Sequence, residues 1–146
     1  GVPEAQMREV ADAFDRNYPG AKVFTQRVED EGMRRFRAEG QGYVLTGTGR
    51  RLPCDDGKIY TLVNYAIQGG AAEIFKLNIL KCDAAGLTDF LCVPVHDELV
   101  ASVPKPDCAE FQATLKECMT TRDGWAVPLT AGCDGPYTNW GEGVDA

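Results

Sequence analysis

Histidine is almost missing from this chain: His96 is the only one in 146 residues. Six cysteines occur, Cys54, Cys82, Cys92, Cys108, Cys118 and Cys133, with no C-x-x-C pair among them. A zinc cluster needs closely spaced thiolate and imidazole ligands, and a disulfide scaffold needs dense, patterned cysteines. Both classes are therefore excluded, and reduced thiols are expected. No segment approaches the roughly 20 consecutive apolar residues that span a bilayer. The opening GVPEAQMREV also lacks the basic-then-apolar order of a secretory leader. The reading is a soluble, cytoplasmic chain. Positive charge is scarce as well: 15 Lys and Arg against 22 Asp and Glu leave a net charge of -7. Non-specific binding to nucleic acid relies on Lys and Arg displacing counterions from phosphates, so a free-standing, general DNA-binding protein is excluded. Any such contact must be local, or shared with a more basic partner. Internal repeats and low-complexity segments are absent too.

What is present is enough for one compact domain, or a piece of one, since 44% of the residues are hydrophobic. Apolar residues at helical spacing predict a helix over 2–18, stopped by Pro19-Gly20, and a second over 21–39, ended by Gly40 and Gly42. A short strand is expected over 43–46, then a flexible Gly47-Thr48-Gly49 turn. Ile59, Leu62, Val63, Ala66, Ile67, Ile74 and Leu77 keep a 3.6-residue period and predict a long helix over 58–85, closed by Gly86. Two apolar runs, 90–95 and 99–103, flank His96-Asp97-Glu98 and read as a hairpin with a polar tip. An amphipathic helix over 104–121, a last strand over 127–130 and an irregular tail complete the chain. Helices and strands mix without βαβ alternation, so the fold class is α+β.

Three constellations are able to carry chemistry. At Val95-His96-Asp97-Glu98-Leu99 an apolar strand is broken by polar residues, and adjacent carboxylates on a rigid bend offer hard oxygen ligands to a divalent cation. An ordinary solvated turn is the plain alternative. In the long helix, Asn64 and Gln68 stand four apart on one face, followed by Gly69-Gly70-Ala71-Ala72. Each glycine costs about 1 kcal/mol of helix stability relative to alanine; close helix packing is one reason to accept that cost, the approach of a nucleic acid another. Arg50-Arg51, at a Gly-flanked turn, pairs two guanidinium groups that suit phosphates, unless they are simply solvated surface charge.

Taken in order, these features resemble family A DNA polymerases, the group that includes bacterial DNA polymerase I and related phage enzymes, and specifically their C-terminal part. The likeness runs through Gly1-Val2-Pro3, Gly40-Gln41-Gly42-Tyr43-Val44, Thr48-Gly49-Arg50-Arg51-Leu52-Pro53, Asn64 to Gln68-Gly69, Ala71 to Lys76, Val95-His96-Asp97-Glu98, Val127-Pro128-Leu129 and Asn139-Trp140.

The resemblance implies a palm-type antiparallel sheet, its catalytic hairpin packed against long helices. Residues 1–46 would correspond to the end of the fingers and 47–146 to the C-terminal part of the palm. It implies that Asp97 is the second of two metal-ligating aspartates, with Glu98 supporting the metal site and His96 at the primer terminus. Asn64 and Gln68 would contact the minor-groove side of the template-primer, and Arg50 and Arg51 the nucleic-acid backbone. Tyr60 stands where bacterial members carry an arginine, which removes one minor-groove contact. The implied cofactor is Mg²⁺, in a two-metal site completed by an upstream part that carries the other aspartate and the nucleotide-binding fingers helix. That part is the expected partner, with primer-template DNA and a deoxynucleotide in the assembled enzyme, and the chain alone is expected to be inactive. A non-catalytic remnant that binds a partner protein or DNA is the alternative. A metal-dependent hydrolase working alone has too few ligands for two ions.

Overall fold

The structure, a computed structural model, describes residues 3–55, 57–121, 124 and 126–144. It divides into two compact units, Gly1–Gly70 and Ala71–Ala146, and the class is α+β.

In the first unit, α1 spans Glu4–Asn17 and α2 spans Pro19–Glu39. Glu4 and Arg8 pair across one turn of α1 at 2.9 Å, where the carboxylate also meets the positive helix end. Pro19 begins α2 instead of merely ending α1, because its missing N–H is no loss in a first helical turn. α2 then runs unbroken through Gly32. A Cβ on that buried glycine would stand 2.3 Å from Leu62 Cδ1, so its absence lets α2 lie close against the start of the third helix. Gly40 closes α2 in the left-handed conformation, with φ of 76°, and its N–H donates to Phe36 O at 2.8 Å.

Strand β1 covers Tyr43–Leu45, and β2, not expected from the sequence, covers Arg51–Pro53. They pair antiparallel, Leu45 opposite Arg51 and Tyr43 opposite Pro53. The core of this unit is Val44, Cys54, Ile59 and Leu62, with Val28, Phe36, Leu52, Tyr65 and Ala66 packed against it. Leu62, fully buried, contributes about 1.5–3 kcal/mol by leaving water.

α3 spans Thr61–Ala84, close to the predicted helix. In the second unit its end is capped by Gly86, with φ of 75°, and by the Leu87 N–H on Cys82 O at 3.0 Å. After a 3-10 turn over Thr88–Phe90, β3 (Leu91–Val95) and β4 (Glu98–Ala101) form an antiparallel hairpin. α4 covers Cys108–Met119 and buries Phe111, Leu115 and Cys118, the spacing of one helix face. These join Cys82 and Leu87 in a core against which Phe90, Leu91, Leu99, Ala101 and Val103 pack. Phe90 meets Phe111 edge to face at 5.5 Å. Buried Asn78 bonds Met119 O through Nδ2 at 2.9 Å and accepts from the Thr121 hydroxyl at 3.0 Å, so α3 is tied to the end of α4.

Two sequence expectations fail here. The last strand over 127–130 is reduced to an isolated bridge, Thr121 to Leu129. The tail expected to be irregular contains α5, Trp140–Val144.

Candidate functional site

The hairpin carries the acidic pair on a firm base. Phe90, Leu91, Leu99 and Ala101 sit against the core, and the Ser102 N–H donates to Phe90 O at 2.9 Å. The ladder closes with Val95 opposite Glu98, so the tip consists of His96 and Asp97 alone and Glu98 already belongs to β4. His96 takes a φ of 55°. Positive φ at the first tip residue suits a two-residue hairpin, but for a residue with a Cβ it costs on the order of 1 kcal/mol or more. His96, Asp97 and Glu98 are all exposed, and among the described residues no hydrogen bond or ion pair engages their side chains. Asp97 therefore does not lie in a packed interior. Among the described residues, no three His, Cys, Asp or Glu side chains converge to hold a metal ion.

On α3, Asn64 and Gln68 are exposed one turn apart, with Ile67 exposed between them, so this face presents two uncommitted amides. Gly69 lies elsewhere on the helix: a Cβ there would fall 2.2 Å from Leu52 Cδ1. Its reason is packing against β2. Tyr60, just before the helix, is 66% exposed.

The two arginines of the turn part company. Arg50 is exposed, and its N–H donates to Thr46 Oγ1 at 3.0 Å. Arg51 places its guanidinium carbon 3.7 Å from the centre of the Tyr43 ring and pairs with Glu39. Arg35 approaches the same ring to 4.4 Å, donates to Tyr43 O at 2.7 Å and pairs with Glu31 at 2.8 Å. The Tyr43 hydroxyl donates to Glu39 at 3.0 Å, and this bond, with Arg51 next, lowers the Glu39 pKa. Sequence reasoning missed the cluster of Arg35, Glu39, Tyr43 and Arg51 because its members meet only when α2 packs against β1 and when Arg51, which stands opposite Leu45, reaches Tyr43 diagonally across the ribbon.

A family model described as DNA polymerase family A matches residues 1–142. The chain belongs to this family. Its relatives include a DNA polymerase of Mycobacterium phage L5, 30% identical over 134 residues, or 92% of this chain and 21% of that protein. A DNA polymerase of Mycobacterium phage D29 is 34% identical over 104 residues, 71% of this chain and 16% of that protein. DNA polymerase I of Streptococcus pneumoniae serotype 4 is 29% identical over 143 residues, 90% of this chain and 16% of that protein. The chain thus spans about a fifth or less of the length of these relatives. Among the described residues of this family A segment, no helix is long and apolar enough to cross a membrane.

Proposed function

We propose that this chain is the C-terminal part of a DNA-directed DNA polymerase and supplies one half of its nucleotidyl-transfer site. Residues 1–46 serve as the end of the fingers and 47–146 as part of the palm, where the β3–β4 ribbon joins a larger sheet. The observation that carries this reading is the Asp97-Glu98 pair, exposed and uncommitted at the end of a ribbon whose base is fixed in the core, inside a segment that matches family A polymerases from 1 to 142.

A carboxylate that is to share a cation with an acid from elsewhere needs a fixed backbone and free oxygens, and Asp97 has both. Its oxygens and those of Glu98 fit Mg²⁺, a hard ion that prefers oxygen ligands. One aspartate with one neighbour cannot fill the coordination of two such ions, so the second acid comes from the upstream part. When bound, the ion pair would activate the primer hydroxyl and stabilise the departing pyrophosphate. Asp97 holds its side of the site and Glu98 supports it from the first residue of β4. His96, pre-set by its turn, lies next to the primer end. Asn64 and Gln68 read the edge of the template-primer with amide donors and acceptors, and the Arg50-Arg51 turn borders its backbone. The net charge of -7 fits a chain whose DNA contacts are local, with the remaining positive charge provided by the upstream part.

Primer extension on the chain, on the upstream part and on the two combined tests this. Extension is expected only from the combination, and Asp97→Asn lowers it on the order of a thousandfold or more while leaving primer-template affinity nearly intact. Incorporation by the chain alone refutes the half-site reading. An Asp97→Asn variant as active as the parent leaves the alternative, a non-catalytic remnant.

A further inference from the structure

The segment Gly49 to Pro53 looks like one basic grip in the sequence, yet its two arginines have unlike surroundings. Arg50 precedes β2 and Arg51 is its first residue, and only the second has side-chain partners, so the two guanidinium groups do not form a single open fork. Arg51 is already engaged. Its guanidinium lies 3.7 Å from the centre of the Tyr43 ring and is ion-paired with Glu39 on the last turn of α2. Tyr43 is only 8% exposed and is itself held by Arg35 on α2, which donates to its carbonyl at 2.7 Å. The contacts form one connected cluster between α2 and the β1–β2 ribbon.

Arg50 is placed differently. Its backbone is pinned across the turn to Thr46, its N–H donating to Thr46 Oγ1 and the Thr46 N–H to its carbonyl, both at 3.0 Å. Its side chain is exposed and has no partner among the described residues.

We propose that the two arginines divide the work: Arg50 binds a backbone phosphate of the nucleic acid, and Arg51 is a positioning residue that locks the ribbon to α2 and so fixes where Arg50 stands. This rests on the polymerase reading above. The physical reason is competition. A guanidinium committed to Glu39 and to an aromatic face must give up those contacts to meet a phosphate, whereas a free one displaces counterions at no such cost.

The test measures primer-template affinity of the assembled polymerase as salt is varied, with Arg50→Ala, Arg51→Ala, the double variant and Glu39→Gln, each checked for folding by thermal melting. Arg50→Ala is expected to weaken binding about tenfold at low salt and to reduce the salt slope by about 0.9, the value of one phosphate. Adding Arg51→Ala to it changes neither quantity further, because two residues acting through one contact are not additive. Glu39→Gln gives the sign. It removes a negative charge, so a directly binding Arg51 would gain affinity once released; the positioning role instead requires a loss, about threefold, that vanishes in the Arg50→Ala background. A further slope decrease of about 0.9 in the double variant, or tighter binding by Glu39→Gln, overturns the division of roles and leaves the polymerase reading standing. Failure of the unaltered assembly to bind primer-template overturns both.

Discussion

Gly69 and Gly70 are neighbours in the middle of α3, and alanine at each is expected to change stability with opposite sign. A Cβ on Gly69 would meet Leu52 Cδ1 at 2.2 Å and Thr46 Cγ2 at 3.8 Å, whereas a Cβ on Gly70 meets nothing within 4 Å. Both residues are helical, so alanine recovers about 1 kcal/mol of intrinsic propensity at either site. At Gly70 that gain is the whole effect, a stabilisation of about 0.5–1 kcal/mol, or roughly 2–8 °C in melting temperature for units of this size. At Gly69 the new methyl forces Leu52 out of its place against the first core, and overpacking of this kind costs about 1–3 kcal/mol. After the propensity gain, a net loss of about 1 kcal/mol is left. Urea denaturation of the two variants beside the parent reads the difference directly, with equal m-values to show that the same surface unfolds. If Gly70→Ala is as destabilising as Gly69→Ala, open space is not what surrounds Gly70. If Gly69→Ala is stabilising, Leu52 is not held where the packing argument needs it.

Acid should remove a specific contribution from α2: Arg34 first, and Arg35 after it, hold the Glu31 carboxylate down to about 2 from its ordinary 4.5. A depressed carboxylate stabilises fully above its unfolded value, so this contribution is complete above 4.5 and disappears as pH falls toward 2. The melting difference between the parent and Glu31→Gln should close across that window and shrink in high salt, because the pair is exposed; a gap that persists at pH 2 refutes the assignment. Thiol chemistry should follow burial: Cys92 and Cys133 are exposed, while Cys54, Cys82 and Cys118 are buried. Burial, aided by Cys118, pushes the Cys82 thiol up to about 11, so iodoacetamide followed by mass mapping should label Cys92 in the native state and Cys82 only on unfolding. Equal rates at the two would mean that the second core opens readily.

The long helices were legible because apolar residues recur at a 3.6-residue period over several turns, even though Met7, Val10 and Phe14 of α1 and Ile67 and Leu77 of α3 stay exposed. α3 was predicted within a few residues of its ends for this reason. β2 was not legible. Three residues, Arg51-Leu52-Pro53, carry no period, and they become a strand only because β1 lies beside them and Gln41 Nε2 donates across to Cys54 O at 2.6 Å. Pro19 ends α1 as its sequence predicts and also begins α2, since a missing N–H is no loss in a first helical turn. α5 did leave a trace. Asn139 and Glu142 have the spacing of a capping box, and Asn139 Oδ1 accepts from the Glu142 N–H at 3.2 Å while Glu142 accepts from the Thr138 N–H at 2.9 Å; the glycines around Trp140 masked it.

The acidic pair shows why a site can be named from sequence order while its local geometry stays plain. A general acid or a nucleophile working within one chain leaves marks, such as a displaced pKa, a buried hydrogen bond or a base within reach. A ligand that waits for a cation shared with another stretch of polypeptide must leave its oxygens uncommitted, and an uncommitted carboxylate at a hairpin tip has the surroundings of any solvated turn. Asp97 has those surroundings: exposed, with no partner among the described residues. What sets it apart is its place within a segment that matches the family A model over residues 1–142, together with a ribbon base fixed by Phe90, Leu91 and Leu99. Hence, on the proposed reading, Asp97→Asn should be nearly silent in the stability of this chain and decisive in the assembled enzyme, whereas Phe90→Ala, which removes the edge-to-face contact of a partly buried ring with Phe111, should cost about 1–3 kcal/mol of stability and damage activity only through the position of the ribbon.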